Sequence, residues 1–146
     1  MAEKITMAEK ILSFKDLLED DIKHIKEIPE ATVKLDVLSE KLGKDVYIKV
    51  KGIRNSEYAK LASTYSGDDD SATYENSMMV ILNGVVEPDL HDKDARDRFG
   101  ARTPKEFAEM IIQGSDVGKV ATKIASLSGL LDKNGNVRDL EGEAKN

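Results

Sequence analysis

The chain has 146 residues, 22 of them Lys or Arg and 28 Asp or Glu, for a net charge of −6, and it has no cysteine. Disulfides, thiolate zinc sites and thiol catalysis are thereby excluded, and an acidic balance without a basic face argues against nucleic acid as a partner. The longest apolar run, Met78–Leu82, falls far short of the roughly 20 residues that a bilayer span needs.

At this length one domain is expected, over residues 1–131, followed by a polar, disordered tail over 132–146. The string MAEKI occurs at Met1–Ile5 and again at Met7–Ile11. This reads as a duplicated start or as chance in a charged stretch, not as a repeat architecture. The N-terminus lacks a signal-peptide core, which predicts a cytoplasmic protein.

Ile11, Phe14, Leu18, Ile22 and Ile25 recur at helical spacing and predict a helix over about 13–25, stopped by Pro29. The expectation is a terminal helix docked on the core; a partner-binding arm is the alternative. The period then changes to two. Val33, Leu35 and Val37 predict one strand and Val46, Ile48 and Val50 a second. LSEKLGKD joins them through a turn at Gly43, with one helical turn at Leu38–Leu42. This small antiparallel hairpin is expected to be the only sheet.

Asn55 or Ser56 caps a helix carrying Tyr58, Leu61, Ala62 and Tyr65, and Gly67 ends it. After the acidic loop Asp68–Asp70, Ser71 or Thr73 caps a helix through Leu82. Asn83 and Gly84 should stop it in left-handed geometry. Residues 85–102 read as irregular, with a turn or two of helix over Asp92–Phe99. Thr103, Pro104 and Glu106 make a capping box that opens the next helix, with Phe107, Met110 and Ile111 on its apolar face and Gly114 at its end. Ser115 or Asp116 opens the last helix, whose buried stripe is Val117, Val120, Ala121, Ile124 and Leu127. The fold class is α+β: a mostly helical single domain with one small antiparallel β-hairpin.

Chemistry is weakly signalled. Asp89, His91, Asp92 and Asp94 could hold a divalent metal for a small hydrolase, but a solvated acidic loop explains them more simply. Asp132, Asn134, Asn136 and Glu143 match four positions of a calcium loop, which fails where Val137 stands in place of the required Gly. GSDVGK lacks the pattern of a phosphate cradle. His24 and His91 have no nucleophile at motif spacing. Tyr58, Tyr65 and Tyr74 read as core or rim. No cofactor or metal is expected. Apolar residues at Met78, Met79, Val85, Val86, Met110, Ile111 and Ile112 outnumber what one narrow helix face buries. They form the candidate partner-binding set.

The strings LSEKLGKDVYIKV, MMVILNGVVEPDL, TPKEFAEMII and GKVATKIASLSG occur in this order between about Val33 and Leu130. In order and spacing they resemble the XkdN-like tail assembly chaperones of phages and prophages of Gram-positive bacteria. The resemblance implies a non-enzymatic α+β chaperone that binds the tape measure protein and the tail tube protein. It would act in the cytoplasm of the bacterial host, as a possible homo-oligomer, and be absent from the mature virion. Neither nucleic acid nor membrane would be a partner. The N-terminal helix with the doubled MAEKI departs from the family's usual pattern. A generic acidic adaptor or regulatory subunit is the competing reading.

Overall fold

The computed structural model describes residues 11–62 and 69–131. The predicted tail, the calcium-like string, the doubled MAEKI up to Lys10, Tyr65, Gly67 and Asp68 lie outside them. Among the described residues the order is a 3-10 turn at Phe14–Asp16, α1 (Glu19–Lys26), β1 (Glu30–Lys34), α2 (Asp36–Leu42), β2 (Tyr47–Lys51), α3 (Asn55–Ala62) and α4 (Asp70–Gly84). Then come β3 (Val85–Glu87), α5 (Lys93–Phe99), α6 (Pro104–Ile111) and α7 (Ser115–Leu127). The α+β class is as expected, and the sheet is one strand larger than the hairpin read from the sequence: it is antiparallel, in the order β1-β2-β3.

Alternation sets the register of β1 on β2. Val33 stands opposite Ile48 and Ala31 opposite Val50, facing the core, while Thr32 stands opposite Lys49 on the wet face. Lys49 also faces Glu87 of β3 and pairs with Glu30 at 3.3 Å. The first strand stops earlier than predicted. Leu35 still donates to the Val46 carbonyl at 2.9 Å, but Asp36 opens two turns of helix where a single turn was expected. Gly43 (φ 69°) ends that helix in left-handed geometry, which glycine adopts without steric penalty. Ser39, buried in α2, accepts the Val46 N–H at 2.9 Å and holds the connection against the sheet.

Helix α4 is the centre of the fold, packed against α7, α3 and α6, and α7 covers the inner face of β1 and β2. The cap of α4 is Asp69, from the acidic loop, which accepts the Ala72 N–H at 2.8 Å in place of the Ser71 or Thr73 expected. Nor does α4 stop at a left-handed Asn83-Gly84 pair. Gly84 is its last residue, Val85 turns directly into extended backbone, and β3 pairs with β2. The role of Gly84 is space: a Cβ there would lie 2.5 Å from Cδ1 of Ile124, which is fully buried.

The capping box at α6 is also modified. Thr103 accepts the Glu106 N–H at 3.1 Å, as predicted, while the Glu106 carboxylate reaches one residue further back, to the Arg102 N–H at 3.4 Å. Phe107 and Ala108 are buried, and Phe107 stacks at a tilt on Phe99 with centroids 5.2 Å apart.

The base of the sheet is locked to the end of α7. Ile53 donates its N–H to Ser128 Oγ at 2.8 Å, and that hydroxyl donates to the Ile124 carbonyl at 2.7 Å. Gly52 permits this approach, since a Cβ there would stand 2.6 Å from the Leu127 carbonyl oxygen. Backbone cannot yield as a side-chain tip can. Gly52→Ala is therefore expected to destabilise the domain by about 2–3 kcal/mol, the upper part of the overpacking range. Gly118→Ala, on a helix surface with nothing within 4 Å, should stabilise it by about 0.5–1 kcal/mol. Urea denaturation of the two variants checks both signs.

Candidate partner-binding surfaces

The residues singled out as partner-binding divide by burial. Met78 and Ile112 are 0% and 1% exposed and belong to the core, so in this fold they offer no surface. Met110 is 43% exposed on α6. Met79, Val85, Val86 and Ile111 are half-buried, and Met79, Val85 and Ile111 also pack against the core. In α4, about 100° of rotation separates Met78 from Met79, so only Met78 points straight into the core; Ile112 follows α6 in extended backbone and turns inward there. The edge strand β3 carries Val85 and Val86, each with part of its side chain in solvent.

A second apolar surface lies at the N-terminus. The predicted helix over 13–25 is broken: the backbone is extended at Leu17 and Leu18, and α1 begins at Glu19. The docking expected of it is overturned. Phe14 is 83% exposed, Leu18 69% and Ile25 64%. The spacing had marked a real apolar row, but this row faces solvent.

The acidic string at 89–94 is structural. Asp89 Oδ1 accepts the His91 N–H at 2.9 Å, His91 Nε2 lies 3.0 Å from the Leu82 carbonyl, and Asp92 caps α5 by accepting the Ala95 N–H at 3.2 Å. Among the described residues no group of three or more His, Asp or Glu is placed to hold a metal ion.

Sequence reasoning missed the residue with the most consequential polar contacts. Asp116, 1% exposed, does not cap its own helix. Its carboxylate turns to the N-terminus of α2 and accepts the Asp36 N–H at 3.0 Å and the Val37 N–H at 2.9 Å. A carboxylate is well placed there, because a helix start presents unpaired N–H groups and the positive end of the helix dipole. Lys119 reinforces the junction, donating to the Lys34 carbonyl at 2.7 Å and the Asp36 carboxylate at 2.9 Å. On the opposite side, Lys105 pairs with Glu75 at 2.7 Å and the Tyr74 hydroxyl donates to Glu109 at 2.6 Å, joining α4 to α6. Burial, with the Glu109 hydrogen bond second, pushes the Tyr74 hydroxyl from 10.0 up to about 12.

The sequence pattern of the phage XkdN-like tail assembly chaperone proteins matches residues 14–145. The chain belongs to this family. The match begins at Phe14, so the solvent-facing residues from Phe14 onward lie inside the family pattern, and the doubled MAEKI lies before it. Comparison with curated proteins finds no match. Among solved structures, the crystal structure of the protein yqbn is similar in fold, with a TM-score of 0.50 at 19% identity, over 70% of this chain and 88% of that one. At that identity the likeness concerns the fold alone.

Two predictions follow for this tail assembly chaperone domain. Asp116→Ala leaves two buried-side N–H groups of α2 unpaired and should lower stability by about 2–4 kcal/mol in urea denaturation. Asp116→Asn keeps one acceptor oxygen and should lose less. For Tyr74, the unfolded chain releases its proton first. The contribution of the neutral hydroxyl is therefore complete below pH 10.0 and is lost as pH rises toward about 12. The stability difference between the wild type and Tyr74→Phe, measured by chemical denaturation on both sides of pH 10.0, should shrink across that interval.

Proposed function

We propose that this chain is a non-catalytic tail assembly chaperone that binds tape measure and tail tube proteins in the host cytoplasm and is released before the virion is complete. The family supports the general role. The observation that carries the binding mode is the set of apolar side chains left open on a well-packed domain: Met110 exposed, with Met79, Val85, Val86 and Ile111 each partly in solvent. Methionine is unbranched and polarizable, so it adapts to partners of different shape. A long apolar partner needs its surface covered until the tube closes around it, and many weak contacts in parallel hold it reversibly. Among the described residues no helix is long and apolar enough to cross a membrane.

The test is capture of tail proteins from cells in which the tail genes are induced, using the tagged chain and mass spectrometry. Tape measure protein should be recovered. Val86→Glu with Met110→Glu should reduce the recovery at least tenfold, equivalent to about 1.4 kcal/mol, while thermal unfolding stays unchanged. Met78→Ala, by contrast, should cost about 2–5 kcal/mol of stability, because it empties a core position. Recovery of an unrelated host protein without any tail component, or normal tails after deletion of the gene, would sink the proposal.

A further inference from the structure

The solvent-facing row at the N-terminus is not explained by the surface just described, and its charges point to a specific occupant. On α1, Glu19, Asp20 and Asp21 fill the first turn and Lys23, His24 and Lys26 the last. Ile22 sits between them, and a shallow cleft on that side is lined by Glu19, Asp20, Ile22, Lys23 and Lys26. Among the described residues, Glu19, Asp20, Lys23 and Lys26 make no ion pair, while Asp21 is taken by the Leu18 N–H at 2.9 Å and His24 by Glu27 at 3.3 Å. A helix dipole favours acids first and bases last. It gives no reason for an apolar row to run uncovered between them.

The pattern is its own complement. Rotated by a two-fold axis through Ile22, a second α1 runs antiparallel and lays its acidic half on the basic half of the first. Glu19 and Asp20 then fall near Lys23 and Lys26 of the other copy, and Ile22 against Ile22. This is an isologous arrangement, in which one patch serves both partners. Eight residues of helix span only about 12 Å, too little for a stable dimer, which buries roughly 800 Å² per partner. The rest is supplied by what lies beyond. Phe14, 83% exposed, Leu18, 69%, and Ile25, 64%, extend the apolar contact on either side of Ile22.

We propose that residues 14–28 form a two-fold antiparallel contact between two copies of this chain, centred on Ile22. The contact leaves Met110 and β3 on each copy open, so a dimer offers its tail partner two apolar surfaces.

The test uses the full chain in sedimentation equilibrium over a concentration series. The wild type should form a particle of twice the chain mass, and Ile22→Lys should be a monomer with an unchanged circular dichroism spectrum. Two charge-reversed chains decide the geometry: Glu19→Lys with Asp20→Lys, and Lys23→Glu with Lys26→Glu. Each alone should be monomeric, and an equimolar mixture should restore the double-mass particle. A wild type that stays monomeric at every concentration overturns the proposal. So does a dimer that survives both reversals, which places the contact elsewhere, or a mixture that stays monomeric. A monomeric wild type whose capture of tape measure protein is lost on Ile22→Lys would instead assign the row to the tail protein.

Discussion

The buried carboxylate of Asp116 is the junction on which the arrangement of layers depends. It closes the N-terminus of α2 from α7, and α2 is the piece of chain that separates β1 from β2. One acidic side chain thus ties the sheet connection to the helix that covers the sheet. Lys119, one turn further along α7, neutralises the Asp36 carboxylate beside it. The second tie, at the other end of α7, is made of backbone and a hydroxyl: Gly52, Ile53 and Ser128. Between these two ties, Val120 and Ile124 pack into the core. With its ends fixed, α7 can seat Ile124 on the bare backbone of Gly84 and hold α4 in place.

This rigid body places the two apolar surfaces apart in character. Met110, Val85 and Val86 belong to elements anchored in the core, so they present a fixed shape with adaptable tips. The row from Phe14 to Ile28 rests on a short helix joined to the body at Pro29, whose carbonyl accepts the Gly52 N–H at 2.9 Å. A surface of each kind suits an assembly factor that must grip partners and let them go.

Much of the body was legible in the sequence because its signals are local. Period-two alternation located β2, a Thr-Pro start located α6, and the 3-4 spacing of Val117, Val120 and Ile124 located the buried side of α7. What stayed hidden depends on distance or on coverage. Asp116 at the start of a helix reads as that helix's own cap, and nothing local reveals that its partner N–H groups lie 80 and 79 positions away. The strand β3 has three residues, too few to show alternation, and exists because β2 offers an edge. The row from Ile11 to Ile25 has the spacing of a buried face, but spacing says only that apolar groups share a side and not that anything covers it. Within the candidate set, adjacency showed that neither Met78–Met79 nor Ile111–Ile112 can share the centre of one narrow helix face, while only the packing decides which member goes inward.

The separation between Asp36 and Asp116 also has a consequence in time. A ribosome adds about 5–20 residues per second, so the 80 positions between them take on the order of 4–16 s to synthesise. During that interval β1, α2 and β2 exist without their cap and without the helix that covers them. The nascent chain therefore waits, its sheet face bare, until α7 emerges. Closure of the domain thus follows the synthesis of α7, not that of the sheet it covers.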